Sequence, residues 1–459
     1  MSEQQKIFVT KSTVKTADLE HKRKVAFNID KYNAAVTIGK QQFADIEEAR
    51  KKAKNIKWKA ISAWDTHLEN FESKFIANGG KVIWAETADD ALQAVLHICR
   101  ERKATKVVKS KSMVTEEIHL NHFLGEHGIE SVETDLGEYI QQLDGEPPYH
   151  IVTPAMHKSK EDVAKVFHDK LGTDPNLTPS EITMVARHIL REKYVQADIG
   201  ITGGNFLLAD VGGVCLTENE GNARLSTAFP PVHIAIVGIE KVIPSIKDLH
   251  LIWPLLATFG TGQRVTVYNS IFTGPKKTGE TDGPEEMYVI LLDNGRTNLL
   301  KREIRESLYC IRCGSCLNGC PVYKNIGGHA YGATYSGPIG SVITPHLQDF
   351  AEYKHLSYAS SLCGNCSDVC PVKINIHGML LENRRMAAST GINGFAEDNM
   401  WRIWQVAMLN RRFIDLAGDE LKTKMVNYLF KGSWGKGRGR LNFAEKSFRS
   451  LWKDHSSGK

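Results

Sequence analysis

The chain has no run approaching the roughly 18 consecutive apolar residues that a membrane-spanning helix needs, so no span is expected in its 459 residues. Met1 to Lys6 are polar and lead into no apolar h-region, which argues against a secretory signal. No single charge dominates: the formal net charge is +5. Part of that excess is terminal, at Lys431, Lys436, Arg438, Arg440, Lys446 and Arg449. A solvated surface accounts for such a run better than a nucleic-acid footprint. No P-loop, no G-x-S-x-G elbow and no G-x-G-x-x-G opening a helix is present. Thr258-Phe-Gly-Thr-Gly262 reads instead as a glycine-rich turn ahead of a strand at Val265 to Val267. Outside one window cysteine is scarce: Cys99 and Cys215 stand alone and read as small core residues. The expectation is a cytoplasmic protein in a reducing compartment.

The other seven cysteines lie between Cys310 and Cys370. The first run, Cys310-Ile-Arg-Cys313-Gly-Ser-Cys316-Leu-Asn-Gly-Cys320-Pro321, follows the bacterial ferredoxin spacing C-x2-C-x2-C-x3-C-P. In that pattern three thiolates wrap one iron–sulfur cube and the fourth serves the other cluster. The second run, Cys363-Gly-Asn-Cys366-Ser-Asp-Val-Cys370-Pro371, has Ser360 where a fourth cysteine would stand. Crossed pairing gives Cys310, Cys313, Cys316 and Cys370 to one cluster and leaves Cys320, Cys363 and Cys366 for the second. That second site either takes a non-cysteine ligand (Ser360, a neighbour or water) or holds a three-iron cluster. Zinc more often takes its four ligands as two separated pairs, and disulfides are disfavoured without an export signal.

Hydrophobic content of 42% and charged content of 24% are ordinary for a globular chain, and the length suits two or three domains. Residues 1 to about 36 are charged and weakly patterned, and Gln41 to Ile76 carries apolar residues at helical spacing up to Gly79-Gly80. An alternation follows: strands at Lys81–Trp84, Ala104–Val108, Ile129–Val132, His150–Thr153, Ile199–Thr202, Gly213–Thr217, Val232–Val237 and Met287–Leu292. Between them lie helices opened by Thr87, around Thr115–Glu126, and from Ser180 to Lys193. This predicts an α/β domain with a mainly parallel sheet. Arg296–Leu308 and Ile376–Ala388 read as helices flanking the cysteine runs, with a loop at Gly327–Gly340, so the cysteine region is expected to be all-helical. The tail carries Trp401, Trp404, Trp434 and Trp452 and suits packing on the cluster region or on a partner.

Two loops of the α/β region are candidate ligand sites. Lys109-Ser-Lys111-Ser follows a strand, where parallel sheets bind ligands, and two lysines could hold a carboxylate or phosphate. Gly203-Gly204-Asn205 and Glu218-Asn-Glu220-Gly-Asn222 combine backbone N–H groups free to approach an anion with a carboxylate pair. His157, His233 and His377 are isolated in the sequence and read as structural.

The run Thr202-Gly-Gly-Asn-Phe-Leu-Leu-Ala-Asp210, the run Glu218–Asn222, Phe229-Pro-Pro-Val-His233 and the two cysteine motifs together resemble the iron–sulfur subunit of bacterial lactate-utilisation systems, the LutB/YkgF family. The resemblance covers nearly the whole chain. It implies an N-terminal helical segment at 1–67 and a LUD domain at 68–295, similar in fold to sugar-phosphate isomerases and coenzyme A transferases. It further implies a helical, ferredoxin-type two-cluster domain at 296–388 and a family-specific extension at 389–459. Two [4Fe-4S] clusters are implied, on Cys310, Cys313, Cys316 and Cys370 and on Cys320, Cys363 and Cys366. The implied role is electron transfer in a cytoplasmic system oxidising L-lactate to pyruvate, with a cysteine-rich LutA-like protein and a second LUD protein, LutC-like, as partners. The chemistry on lactate then belongs to a partner or to the LUD loops. The alternatives are a subunit of a related 2-hydroxy-acid oxidoreductase, a redox- or iron-sensing regulator, or a stand-alone enzyme acting on a phosphorylated or coenzyme A ligand.

Overall fold

A computed structural model describes residues 1–410, 412, 418–430 and 439–458. Lys431, Trp434, Lys436 and Arg438 of the basic, tryptophan-bearing tail lie outside the described residues. The chain divides into two compact units, Met1–Arg385 and Met386–Lys459.

The first unit is built on six parallel strands in the order β1-β10-β7-β4-β2-β3. They are β1 (Lys81–Ala85), β2 (Lys106–Lys109), β3 (Glu130–Glu133), β4 (Ile199–Thr202), β7 (Val232–Gly238) and β10 (Glu286–Leu292). The central strands read as unbroken hydrophobic runs because both faces are covered. In β10, Met287, Val289 and Leu291 enter one core, whereas Tyr288, Ile290 and Leu292 enter another. A smaller sheet, β8-β5-β6-β9, adds β5 (Phe206–Leu208), β6 (Gly213–Glu218), β8 (Val242–Ile243) and β9 (Tyr268–Phe272). No strand occurs after Leu292 among the described residues, so the cysteine-bearing region is helical, as its motifs lead one to expect.

Several local expectations need correction. The weakly patterned first residues form two helices, Glu3–Ala17 and Leu19–Gly39. In the second, His21, Val25 and Ile29 are the buried stripe, too sparse a pattern to stand out. Gln41–Ile76 is two helices, Ile46–Ser62 and Trp64–Ala77, broken at Ala63. Thr115–Glu126 is likewise split, into Met113–Glu117 and Leu120–Glu126, with His119 at φ +54° between them. His150–Thr153 is not a strand, because His150 Nδ1 accepts the N–H groups of Val152 and Thr153 that a ladder would need. The helix expected to be capped by Ser180 is instead capped two residues earlier, by Thr178, and runs from Pro179 to Gln196. Thr258–Thr261 is the last turn of helix Leu249–Thr261, closed by Gly262 at φ +78°, and not a loop. Val265 and Val267 are exposed, and the strand starts at Tyr268. The Arg296–Leu308 helix is reduced to Arg296–Leu300 plus a 3-10 turn, Arg305–Tyr309. The supposed Gly327–Gly340 loop gives way at Gly337 to a helix running to Leu347. Thr87 does open its helix, through a full capping box with Asp90.

The N-terminal helices are part of the first unit rather than an appendage. Phe8 packs on Tyr331 and His355. Gly39 meets the backbone of Gly262 so closely that an added Cβ would lie 2.4 Å from the Gly262 carbonyl oxygen. Trp64 Nε1 donates to the Ile239 carbonyl at 2.8 Å. A buried ion network crosses the same region. Arg296 donates to both oxygens of Glu117, at 3.0 and 2.8 Å, and to Glu240 at 2.7 Å.

In the second unit, helices Phe395–Leu409, Asp419–Leu429 and Phe448–Ser456 are described. Trp404 meets Phe430 edge-on at 6.2 Å, and Asn427 is bonded through its amide to the backbone of Leu441. Trp401 and Trp452 are about half exposed, at 50% and 59%.

Candidate metal centre

The two cysteine runs fold into the same structure twice. Arg312 and Leu362 both adopt left-handed backbone conformations, at φ +61° and +54°. Gly314 and Gly364 follow at +80° and +83°. Each glycine opens a one-turn helix, Ser315–Asn318 or Asn365–Asp368, and the backbone bonds repeat: Leu317 and Ser367 both donate to the preceding glycine carbonyl at 2.9 Å. A non-glycine residue in the left-handed region costs on the order of 1 kcal/mol. Its occurrence at both matching positions shows that the surroundings hold the turn in place.

This geometry sorts the cysteines into two groups. Cys310, Cys313, Cys316 and Cys370 line a single small cavity with Ile339 and Ile374. Cys320, Cys363 and Cys366 interact with one another and not with that cavity. All nine cysteines are free thiols, without a disulfide. Burial, and then the neighbouring thiols, push Cys313 up to about 12 and Cys366 to about 11. Burial takes Cys370 to about 11 as well. Such crowded thiols ionise together only around a cation, and the backbone is ready to receive the thiolates. Arg312 N–H points at Cys310 Sγ at 3.4 Å, Ile374 N–H at Cys370 Sγ at 3.4 Å and Tyr323 N–H at Cys320 Sγ at 3.5 Å. Hydrogen bonds of this kind tune iron–sulfur sites. Both groups therefore fit iron–sulfur ligation.

Their surroundings differ. Within electrostatic reach of Cys310 lie Lys57, Lys241 and Arg312. Lys57 and Lys241 are 1% and 6% exposed. Arg312 is 3.6 Å from Glu240 and lies over the Tyr335 ring. In the second group Cys363 is exposed to solvent.

The α/β loops meet the first group at a cavity of about 300 Å³. Its lining includes Lys111, Asn205, Glu218 and Glu220, and also Asp135, Tyr32, Arg312 and Cys313. The β2 and β4 carboxyl ends are side by side because those strands pair. Lys111 Nζ donates to the Val152 carbonyl at 2.8 Å and lies 3.4 Å from Asp135. Glu218 accepts the Ala223 and Arg224 N–H groups, and Glu220 accepts Leu136 N–H at 3.0 Å. Burial, then the charge of Asp135, raises Glu220 above the usual carboxylate range. Burial also raises Glu218. The cavity thus offers a cation and two carboxylates of raised proton affinity beside a cysteine-bearing loop.

Three of the expected loop residues do not reach it. Lys109 is fully buried, with its ammonium at 2.7 Å from Glu133 and 3.1 Å from Glu116, so its charge is paired inside the fold and does not line the cavity. Gly203 and Gly204 are packing positions: an added Cβ would lie 2.7 Å from Ser112 Oγ and 2.8 Å from Val237. Cys99 and Cys215 are buried in the core. His233 is buried against Thr202 Oγ1 at 2.8 Å and His377 bonds Ser367 at 2.8 Å. His157 is not isolated: it sits with Glu146 and His329 and stacks on Tyr149. Tyr32, Asp135 and Arg312 were not legible as cavity residues, since each comes from a segment without a motif of its own for this cavity.

Comparison with known proteins gives this geometry its context. Residues 68–292 match the LUD domain family, and residues 306–374 match the 4Fe-4S dicluster domain family. An uncharacterized electron transport protein of Escherichia coli K12, YkgF, is 40% identical over 473 residues, covering 97% of this chain and 98% of that protein. Lactate utilization protein B from Bacillus velezensis is 46% identical over 346 residues, 75% of this chain and 73% of that one. The same protein from Bacillus subtilis is 46% identical over 346 residues, 75% and 72%. The chain belongs to the lactate utilization protein B/YkgF family. As a member of that family it is a lactate-utilisation iron–sulfur protein, in which a LUD domain precedes the cysteine motifs. No helix among the described residues is long and apolar enough to cross a membrane.

Proposed function

We propose that this chain is the electron-transfer component of a cytoplasmic system oxidising L-lactate to pyruvate. In this reading it holds two [4Fe-4S] clusters, one on Cys310, Cys313, Cys316 and Cys370 and one on Cys320, Cys363 and Cys366. The observation that carries the reading is the shared cavity: Cys313 and Arg312 line it together with Lys111, Glu218 and Glu220. When bound, such clusters supply one-electron oxidation and reduction. Lactate oxidation releases two electrons and two protons, so a pair of one-electron sites suits it.

The chain's own residues have distinct parts in this reading. Arg312 and Lys111 attract a carboxylate into the cavity. Glu220, raised by burial and by Asp135, takes the hydroxyl proton at its carboxylate, while the hydrogen on the lactate carbon leaves with its electron pair to a two-electron acceptor on a partner protein, which passes the electrons singly to the clusters. Arg312 puts positive charge beside the first group, which favours an added electron there, whereas burial lowers Lys57 to about 7 and Lys241 to about 8, so that their charge depends on what the cysteines hold. The exposed Cys363 marks the side from which electrons leave or enter through a partner. A cysteine-rich LutA-like protein and a LutC-like LUD protein are the proposed partners, named by the family's resemblance.

The test is anaerobic purification followed by iron and sulfide counting. Two four-iron clusters give about eight irons per chain. Cys313→Ser should remove one cluster's paramagnetic signal while far-UV circular dichroism stays unchanged. Zinc in place of iron, or a variant with both signals intact, overturns the assignment.

A further inference from the structure

We infer that Ser360 is the fourth ligand of the second cluster, coordinating iron through its Oγ. This inference rests on the two-cluster reading and goes beyond it, because seven cysteines leave the second group one ligand short.

The repeated geometry places Ser360 where Cys310 stands in the first run. Cys310 Sγ receives the N–H of Arg312, two residues on, at 3.4 Å. Ser360 Oγ receives the N–H of Leu362, two residues on, at 3.1 Å. Both donors sit in the left-handed turn that aims the N–H back at the side chain. The next ligands, Cys313 and Cys363, then follow at the same offset, each before a left-handed glycine. The Ser360 hydroxyl is therefore the positional equivalent of a metal-ligating thiolate and is pre-aimed by the same backbone device.

The segment carrying it is fixed. Arg384 donates to the Ser357 carbonyl at 2.9 Å and to the Ser360 carbonyl at 3.1 Å. A hydroxyl oxygen has two lone pairs. One accepts Leu362 N–H and the other remains for iron. On ligation the Fe–O bond forms, the O–H proton passes to water, and no electron moves. Oxygen is a harder donor than thiolate, so this site differs in potential and lability from its all-cysteine neighbour.

The experiment uses the full chain, purified anaerobically, with iron and sulfide counting, paramagnetic resonance and a redox titration on wild type, Ser360→Ala and Ser360→Cys. Wild type should carry about eight irons. Ser360→Ala should lose about one iron per chain and gain the signal of an oxidised three-iron cluster. Ser360→Cys should keep the iron count and shift one midpoint while the other stays fixed. If either variant leaves both midpoints and the iron count as in wild type, the ligand is water or another residue and the inference falls. Wild-type material with about four irons would instead defeat the two-cluster reading itself, and zinc would defeat both. Ser361→Ala is the control, and its signals should match wild type.

Discussion

Arg50 holds the carbonyl oxygen of Cys370 with two hydrogen bonds, from Nη2 at 2.8 Å and from Nε at 3.1 Å. The arginine comes from the helix Ile46–Ser62 and is 8% exposed, so the N-terminal helices help to fix a cysteine more than 300 positions away. Hydrogen bonds from a charged group contribute about 1.5–3 kcal/mol. Arg50→Ala should leave the fold intact and weaken iron retention at the group containing Cys370. Iron content after timed exposure to chelator measures this, with faster loss expected than in wild type.

Glu220 tests the cavity. Glu220→Gln keeps the size and the bond from Leu136 N–H but removes the proton acceptor. Removing a general base costs on the order of 100-fold or more. L-lactate-dependent reduction should fall by about that factor with the companion proteins present, while reduction by dithionite is unchanged. An unchanged lactate rate would place the proton acceptor elsewhere.

Arg296 tests the buried network. It is 1% exposed and pairs with Glu117 and Glu240. Tyr335 also donates to Glu117, at 2.6 Å. Removing one partner of a buried pair costs about 3–5 kcal/mol, because the other charge is left without compensation. Arg296→Met should lower the stability read by chemical denaturation by about that amount. Glu117→Gln together with Arg296→Met should cost less than the separate effects added together.

His233 gives a pH dependence. It is fully buried, and burial lowers it to about 3 from an ordinary value near 6.5. The folded chain therefore keeps it neutral while the unfolded chain binds a proton below about pH 6.5. Its contribution is complete above that pH and is lost as the pH falls from about 6.5 towards 3, about 2 kcal/mol by pH 5. Unfolding by denaturant at pH 7, 6 and 5 should show a shallower decline for His233→Gln than for wild type.

Much of this was legible because the informative residues are close in sequence. The cysteine spacing alone separated Cys310, Cys313 and Cys316 from Cys363 and Cys366, and the count exposed the gap at Ser360. The central strands of the parallel sheet, such as Val232–Gly238 and Glu286–Leu292, were legible as apolar runs, since both of their faces are buried. Residues whose role depends on distant segments were not. Lys109 looked like a ligand-binding lysine, but Glu133 and Glu116 fold over it. Lys111, two positions on, has one partner carboxylate and lines the cavity. Arg312 lay hidden inside the cysteine motif, and its second role appears only when the α/β loops pack beside it. The strand at His150 failed because its own imidazole took the backbone donors.

The most direct measurement of the central claim is paramagnetic resonance on the anaerobic full chain, mixed with its two proposed companion proteins, before and after addition of L-lactate. Signals of reduced iron–sulfur clusters that appear with lactate, and vanish in Cys313→Ser, are the expected result. Clusters that dithionite reduces but lactate leaves oxidised would contradict it.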